Sequence, residues 1–234
     1  MRLCLLLLAA TGCTYSPPIR GLHAGMPDRI GRGQVEIGGA AGGFSTASSA
    51  TAPTTGGPHV AWGWSDTVVI EGGANLNFIE GLWATTWAGV RLLRAKSLSH
   101  ELRLVGDLEL GAGFGLGGRV YEGGPTPGPP AAQPAPWTSR WTGGFYEGLG
   151  IGLRWRWLGA FLRVRLDTSG STGAPSTLWP SVGLGLEARA GQHLVFGLGG
   201  GAFTFWNENS GAIGPWFFYQ ATVALVFGGK QHVP

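Results

Sequence analysis

Between Glu101 and Leu116 the chain alternates. Leu102, Leu104, Leu108, Leu110, Ala112, Phe114 and Leu116 share one face of an extended strand, and Arg103, Asp107 and Glu109 share the other. A repeat of two belongs to a β-strand; wound as a helix, the same residues would scatter around the circumference. The pattern returns at Val35/Ile37 against Gln34/Glu36, and at Val68/Ile70/Ala74/Leu76 against Glu71/Asn75/Asn77. It continues at Leu162/Val164/Leu166 against Arg163/Arg165, at Val182/Leu184/Leu186/Ala188 against Glu187/Arg189, and at Tyr219/Ala221/Val223/Leu225/Phe227 against Gln220/Thr222. Strands with one greasy and one charged side must close or stack so that the greasy sides share one environment. Composition points the same way: 44 of 234 residues are glycine, about 19% against a usual ~7%, and each glycine costs a helix about 1 kcal/mol. The glycines follow no three-residue period, which excludes collagen. With 12% charged and 44% hydrophobic residues the chain is not held unfolded by self-repulsion. A formal net charge of +3 is too small and too scattered to indicate a nucleic-acid partner.

The connections alternate in kind. Tight turns fall at Ser65-Asp66, Lys96 to Ser99, Trp157 to Gly159 and Gly191 to His193. Between them come links rich in Ser/Thr or Pro/Gly at 44–57, 122–138, 167–178 and 207–215, with a short one near 79–82. That alternation predicts an up-and-down antiparallel sheet with tight turns at one end and loops at the other. The runs count to about ten strands. Pro58 limits regular pairing of the second to about His59–Trp64, shorter than the ~9–11 residues of a spanning strand, so eight is the fallback.

Met1-Arg2, the apolar run Leu3–Ala10 and the small residues before Cys13 have the parts of a secretory signal, and the run is too short to span a bilayer as a helix. Ala10-Thr11-Gly12-Cys13 resembles the bacterial lipobox, although Ala replaces the usual Leu three residues before the cut. The resemblance implies a lipid on Cys13; the other reading is an ordinary signal peptidase site at the same cut. Loss of Cys4 with the signal leaves Cys13 alone, so no disulfide forms within a monomer. The expected organisation is a signal peptide at 1–12, a tether at 13–32, a single barrel at 33–228 and a tail at 229–234.

Period two does not choose between a soluble cup with its greasy face inward and a membrane barrel with it outward. Two features choose the membrane. Trp62, Trp64, Trp155 and Trp157 lie by the turns, and Trp83, Trp141, Trp179, Trp206 and Trp216 by the loops, as two interfacial belts would, with Phe227 closing the last strand. The greasy face is mostly Leu, Val, Ala and Gly, which suits lipid contact. Residues 33–227 thus resemble bacterial outer-membrane β-barrel proteins. The run Tyr219–Phe227 looks like the C-terminal signal of that group, although seven residues follow it here. The resemblance implies an all-β transmembrane barrel in the bacterial outer membrane, both termini periplasmic, with outer-membrane lipid and the barrel-assembly machinery as partners and an extracellular ligand that the sequence leaves unknown.

Barrels of this size have lumens that side chains fill. Glu36, Glu71, Arg91, Arg103, Asp107, Glu109, Arg154, Arg163, Arg165, Glu187 and Arg189 are therefore expected to pair across the lumen as a structural ion network. No cofactor or metal is expected: Gly113 to Gly118 matches a dinucleotide fingerprint only formally, since it lies within a strand and opens no helix. The chain carries no nucleophile elbow, and His59 with Asp167 or Glu208 is the only catalytic arrangement that can be drawn. The expected role is structural or surface-interacting through long outer loops, without enzyme activity. The rivals are a soluble lipocalin-like lipoprotein holding a hydrophobic ligand and a lipid-modifying outer-membrane enzyme.

Overall fold

The computed structural model describes residues 20, 25–28, 30–45, 53–77, 82–118, 140–172, 174–207 and 211–228. The signal peptide, Cys13, the link 122–138, Glu208 and the tail 229–234 lie outside the described residues.

Ten strands follow one another: β1 (Val35–Ser45), β2 (Pro53–Gly63), β3 (Val68–Asn77), β4 (Leu82–Ser97), β5 (Leu102–Gly118), β6 (Arg140–Trp155), β7 (Leu158–Ser171), β8 (Ala174–Ala190), β9 (Leu194–Asn207) and β10 (Gly211–Phe227). Each pairs antiparallel with its neighbours in sequence, and β1 closes on β10 from Val35 against Phe227 to Ser45 against Phe217. The fold is an all-β, up-and-down closed barrel of ten strands, with no helix among the described residues. Closure leaves no strand edge to be capped. The eight-strand fallback is set aside because β2 pairs along its length: Pro58 opposes Gly39 of β1, and pairing to β3 skips from Gly56 to His59. Proline removes a donor towards one neighbour only, so the barrel tolerates it.

Two expected loops are mostly strand. Residues 167–178 continue the β7–β8 hairpin, with Asp167 opposite Trp179 and Ser169 opposite Thr177, and β10 begins at Gly211 opposite Asn207, inside the link drawn at 207–215. Serine and threonine had marked these stretches as loop, but a ladder needs only backbone groups, and threonine suits a strand.

The polarity is inside-out. On β7, Phe161, Arg163, Arg165, Asp167 and Ser169 are buried in the lumen and alternate with outward Leu162 and Val164. The outer face exposes large apolar side chains all round, among them Phe145 at 71%, Leu198 at 69%, Leu184 and Leu186. The lumen is filled in layers. Ile30, Ala61, Val69, Val195, Ala224 and Val226 pack near the tight turns, and Phe44, Trp179, Phe203, Phe205 and Phe218 pack near the loops.

Three tryptophans depart from the expected outer belts. Trp83 and Trp179 are each 2% exposed inside the barrel. Trp216 packs on Phe203 and Phe205, ring centroids 6.1 and 5.9 Å apart. Closeness to a strand end fixes depth but not face. Trp83 shares parity with inward Trp87 and Arg91, and Trp179 with inward Glu187. Trp62, Trp64, Trp141, Trp155, Trp206 and Phe227 are exposed on the outside, while Trp157 is an exposed turn residue at the mouth of the lumen.

Candidate functional site

The middle of the lumen is a waist of charged side chains, all inward by strand parity: Glu71 from β3, Arg91 from β4, Asp107 and Glu109 from β5, and Arg163, Arg165 and Asp167 from β7. Arg91 Nη2 donates to Glu71 Oε2 at 2.5 Å and Arg163 Nη2 to Asp107 Oδ2 at 2.7 Å. Arg165 Nε reaches Glu109 Oε1 at 2.7 Å, and Arg163 Nη1 donates to the other oxygen of the same carboxylate. Glycine makes the room: a Cβ on Gly148 would stand 2.6 Å from Glu109 Oε1, and one on Gly150 would stand 2.3 Å from Asp107 Oδ1.

Into this waist reaches Arg20, from the segment read as a tether. It is 3% exposed. Its Nη1 is 2.5 Å from Glu109 Oε2 and its Nη2 is 2.9 Å from Glu71 Oε1. The guanidinium lies 4.6 Å from the Trp87 ring centroid and 5.0 Å from that of Tyr146, two rings that meet edge to face. Asp167 accepts a hydrogen bond from the Arg20 main chain.

The same segment continues towards the tight turns. Wall arginines hold its carbonyls: Arg163 Nη2 donates to Gly25 O at 3.3 Å, Arg91 Nη1 to Met26 O at 3.4 Å, and Arg189 Nη2 to Asp28 O at 3.2 Å. Met26 N donates to Glu187 Oε2 at 3.3 Å, and Arg154 bridges Glu187 at 2.8 Å and Asp28 at 2.8 Å. Met26 is fully buried with Val105 and Phe161. Gly33 and Gln34 then bond to Gly63 at the turn-side mouth, just before β1.

Two further groups complete the lumen. His59 Nε2 lies 2.6 Å from Glu36 Oε1, both buried, so the histidine is engaged across the β1–β2 hairpin and not by Asp167. A cavity of about 20 Å³ beside Arg20, lined by Thr55, Asn75 and Gln220 among others, has room for about one water. The turn-side mouth is a wider vestibule of about 1280 Å³, bordered by Arg94, half-buried Arg103, Arg154, Arg189 and Trp157. On its rim, Arg156 and then Trp155 hydrogen-bond Glu101 and hold its carboxyl below the usual carboxylate range. Among the described residues no group of three or more His, Cys, Asp or Glu is arranged to hold a metal.

The waist thus joins Glu71, Arg91, Asp107, Glu109, Arg163 and Arg165, while Arg154, Glu187 and Arg189 form a lower tier and Glu36 stands apart with His59. Sequence reasoning missed Arg20, Met26, Asp28 and the lumen role of Asp167. The only local hint was three arginines, Arg20, Arg29 and Arg32, and one aspartate, Asp28, in a segment without periodicity. Glu147 was missed on the other side of the wall. It is exposed on the outer face of β6, midway between outward Trp141 and Trp155.

No protein-family model matches the chain, and no curated protein matches it. Among solved structures it is similar to the N-terminal β-barrel domain of Pseudomonas aeruginosa OprF, with a TM-score of 0.39 and 10% identity over 85% of this chain and 100% of that one. A likeness that distant establishes neither kinship nor function.

Proposed function

We propose that the protein is an outer-membrane β-barrel with a side-chain-filled lumen and a structural or surface-interacting role. The observation that carries this is the inversion of polarity: charged groups fill the interior while Phe145, Leu149, Leu184, Leu186 and Leu198 face outward, each more than 60% exposed. Soluble monomers rarely leave contiguous apolar patches beyond a few hundred Å², and a belt around a whole barrel far exceeds that. Strands of 10 to 17 residues reach or exceed the ~9–11 that a bilayer requires. A lipocalin-like cup needs the opposite arrangement, with an apolar interior to receive its ligand.

In this reading the tight turns and the end of β10 face the periplasm and the loops face outward. The run Tyr219–Phe227 engages the barrel-assembly machinery, residues 1–12 direct export, and Cys13 carries a lipid. In this reading the protein has no catalytic role. The test compares the gel mobility of unheated and boiled membrane extracts, with protease applied to intact cells. A heat-dependent shift with cleavage at 122–138 on intact cells is expected. Release by mild washing without a shift, or cleavage only after lysis, overturns it. Mass spectrometry of the mature N-terminus decides the lipid.

A further inference from the structure

We propose that the vestibule at the turn-side mouth is a binding site for a phosphate group, centred on Arg103 and Arg154. These are residues of the barrel wall, and the bilayer reading above bears only on where the phosphate comes from.

Arg103 and Arg154 stand directly opposite each other in the β5–β6 ladder. Both face the lumen: Arg154 is 6% exposed, and half-buried Arg103 shares parity with inward Val105 and Asp107. Like charges directly opposite one another destabilise a sheet, and an anion between them reverses the sign. The donors for that anion are present. Arg154 Nε donates to Asp28 Oδ1 at 2.8 Å and Nη2 to Glu187 Oε1 at 2.8 Å, but Nη1 is buried with no hydrogen-bond partner. A buried donor without a partner carries its full desolvation penalty. Arg103 has no hydrogen bond or ion pair among the described residues.

The surroundings favour a negative ligand. Arg32, Arg94, Arg103, Arg154, Arg156 and Arg189 border the vestibule, against Asp28, Asp66 and Glu101. With Glu187 counted behind Arg154, six arginines meet four carboxylates, an excess of two positive charges. The excess belongs to the wall, because leaving out Arg32 and Asp28 of the amino-terminal segment removes one charge of each sign. Three of the carboxylates are already engaged, Asp28 and Glu187 by Arg154 and Glu101 by Arg156. A cleft with one sign of charge in excess concentrates the opposite ion.

Guanidiniums bind carboxylate and phosphate through paired N–H donors. Phosphate is tetrahedral and offers oxygens in several directions, so one group can serve donors on two strands, whereas a carboxylate presents two oxygens in one plane. The volume, about 1280 Å³, leaves room for whatever carries the phosphate. Two sources have this chemistry: the headgroup of a phospholipid at the turn-side surface, where Trp157 borders the mouth, and a phosphorylated small molecule in solution.

The experiment uses the full chain folded in a phosphate-free non-ionic detergent. It compares wild type with Arg103→Gln and with Arg140→Gln, which removes the same charge at the loop-side start of β6. Calorimetric titration with sodium phosphate and with glycerol 3-phosphate, at constant ionic strength, reads the soluble source. Native mass spectrometry of protein extracted from cell membranes reads retained phospholipid. Wild type is expected to bind in at least one of the two assays. Arg103→Gln should weaken soluble binding by roughly tenfold or more, the scale of one hydrogen bond to a charged group, or abolish lipid retention, while Arg140→Gln leaves both unchanged. Without phosphate, Arg103→Gln should resist urea at least as well as wild type, since it relieves the opposition to Arg154; lower resistance overturns that part of the argument. Binding of the soluble compounds assigns the source to solution, and retained phospholipid without it assigns the headgroup. No binding by wild type in either assay, equal loss in Arg140→Gln, or acetate bound as tightly as phosphate overturns the proposal. Heat-dependent gel mobility of the same samples tests the bilayer reading separately, so each can fail alone.

Discussion

Replacing Glu109 by Gln probes the waist where it is most crowded. The carboxylate is 0% exposed and accepts from three guanidiniums, those of Arg20, Arg163 and Arg165. Glutamine keeps the shape, removes the charge and presents an NH2 group to one of the donors. Removing one partner of a buried ion pair costs about 3–5 kcal/mol, because the remaining charge stays buried. Here the cost should sit at the low end, about 3 kcal/mol: Arg20 keeps Glu71 and Arg163 keeps Asp107, both at hydrogen-bonding distance. Arg20→Met should cost less, since Glu71 keeps Arg91 and Glu109 keeps Arg163 and Arg165. The two changes together should fall short of additive by about 0.5–3 kcal/mol, the range for residues sharing a network. The assay is reversible urea unfolding of the folded barrel in lipid vesicles, followed by tryptophan fluorescence. A Glu109→Gln change within 1 kcal/mol of wild type, or strict additivity with Arg20→Met, would refute the account of the waist as one coupled network (about 1 kcal/mol being the scale of an exposed pair).

Three further outcomes follow from the wall and its rim. Gly111→Ala places a methyl 2.3 Å from the Tyr146 ring, so it should cost about 1–3 kcal/mol, part of which Tyr146→Leu relieves; equal costs in both backgrounds would show that the ring is not the obstacle. On the outer face, Glu147→Leu should stabilise the barrel in vesicles, while Leu149→Arg, two residues along the same face, should destabilise it by about 2–4 kcal/mol; the opposite signs would place this face in water. Acidification should break the Glu101 contacts with Arg156 and Trp155 as pH falls through the lowered pKa of that carboxyl. The contribution is present above the unfolded-state pKa and lost below the folded one, so the Trp155 fluorescence change should centre below the usual ~4.3 of glutamate. A midpoint at or above that value contradicts the pairing.

Much of the wall was legible because alternation is a local property. Arg163 and Arg165 must lie on one side of β7 and Leu162 and Val164 on the other, whatever the rest of the chain does. Depth and face together were less legible. Trp83 and Trp141 both sit near the loop-side ends of their strands, yet the first points in and the second out, because parity counted from Arg91 and from Arg154 assigns them to opposite faces. Strand ends were blurred at 167–178, where the side chains read as loop but the backbone ladder runs on. The amino-terminal segment in the lumen had no local signature. Arg20 meets Glu109 across 89 residues and Met26 meets Glu187 across 161.

An all-β chain, a turn end and a loop end, and the sharing of a face by particular charges can be read residue by residue, since they follow from a two-residue repeat and from turn chemistry. The closure of β1 on β10, the pairing of His59 with Glu36 and the seating of Arg20 between Glu71 and Glu109 cannot be read that way. Each depends on the barrel's circumference and register, which no single strand encodes and which exist only once all ten strands enclose a common lumen.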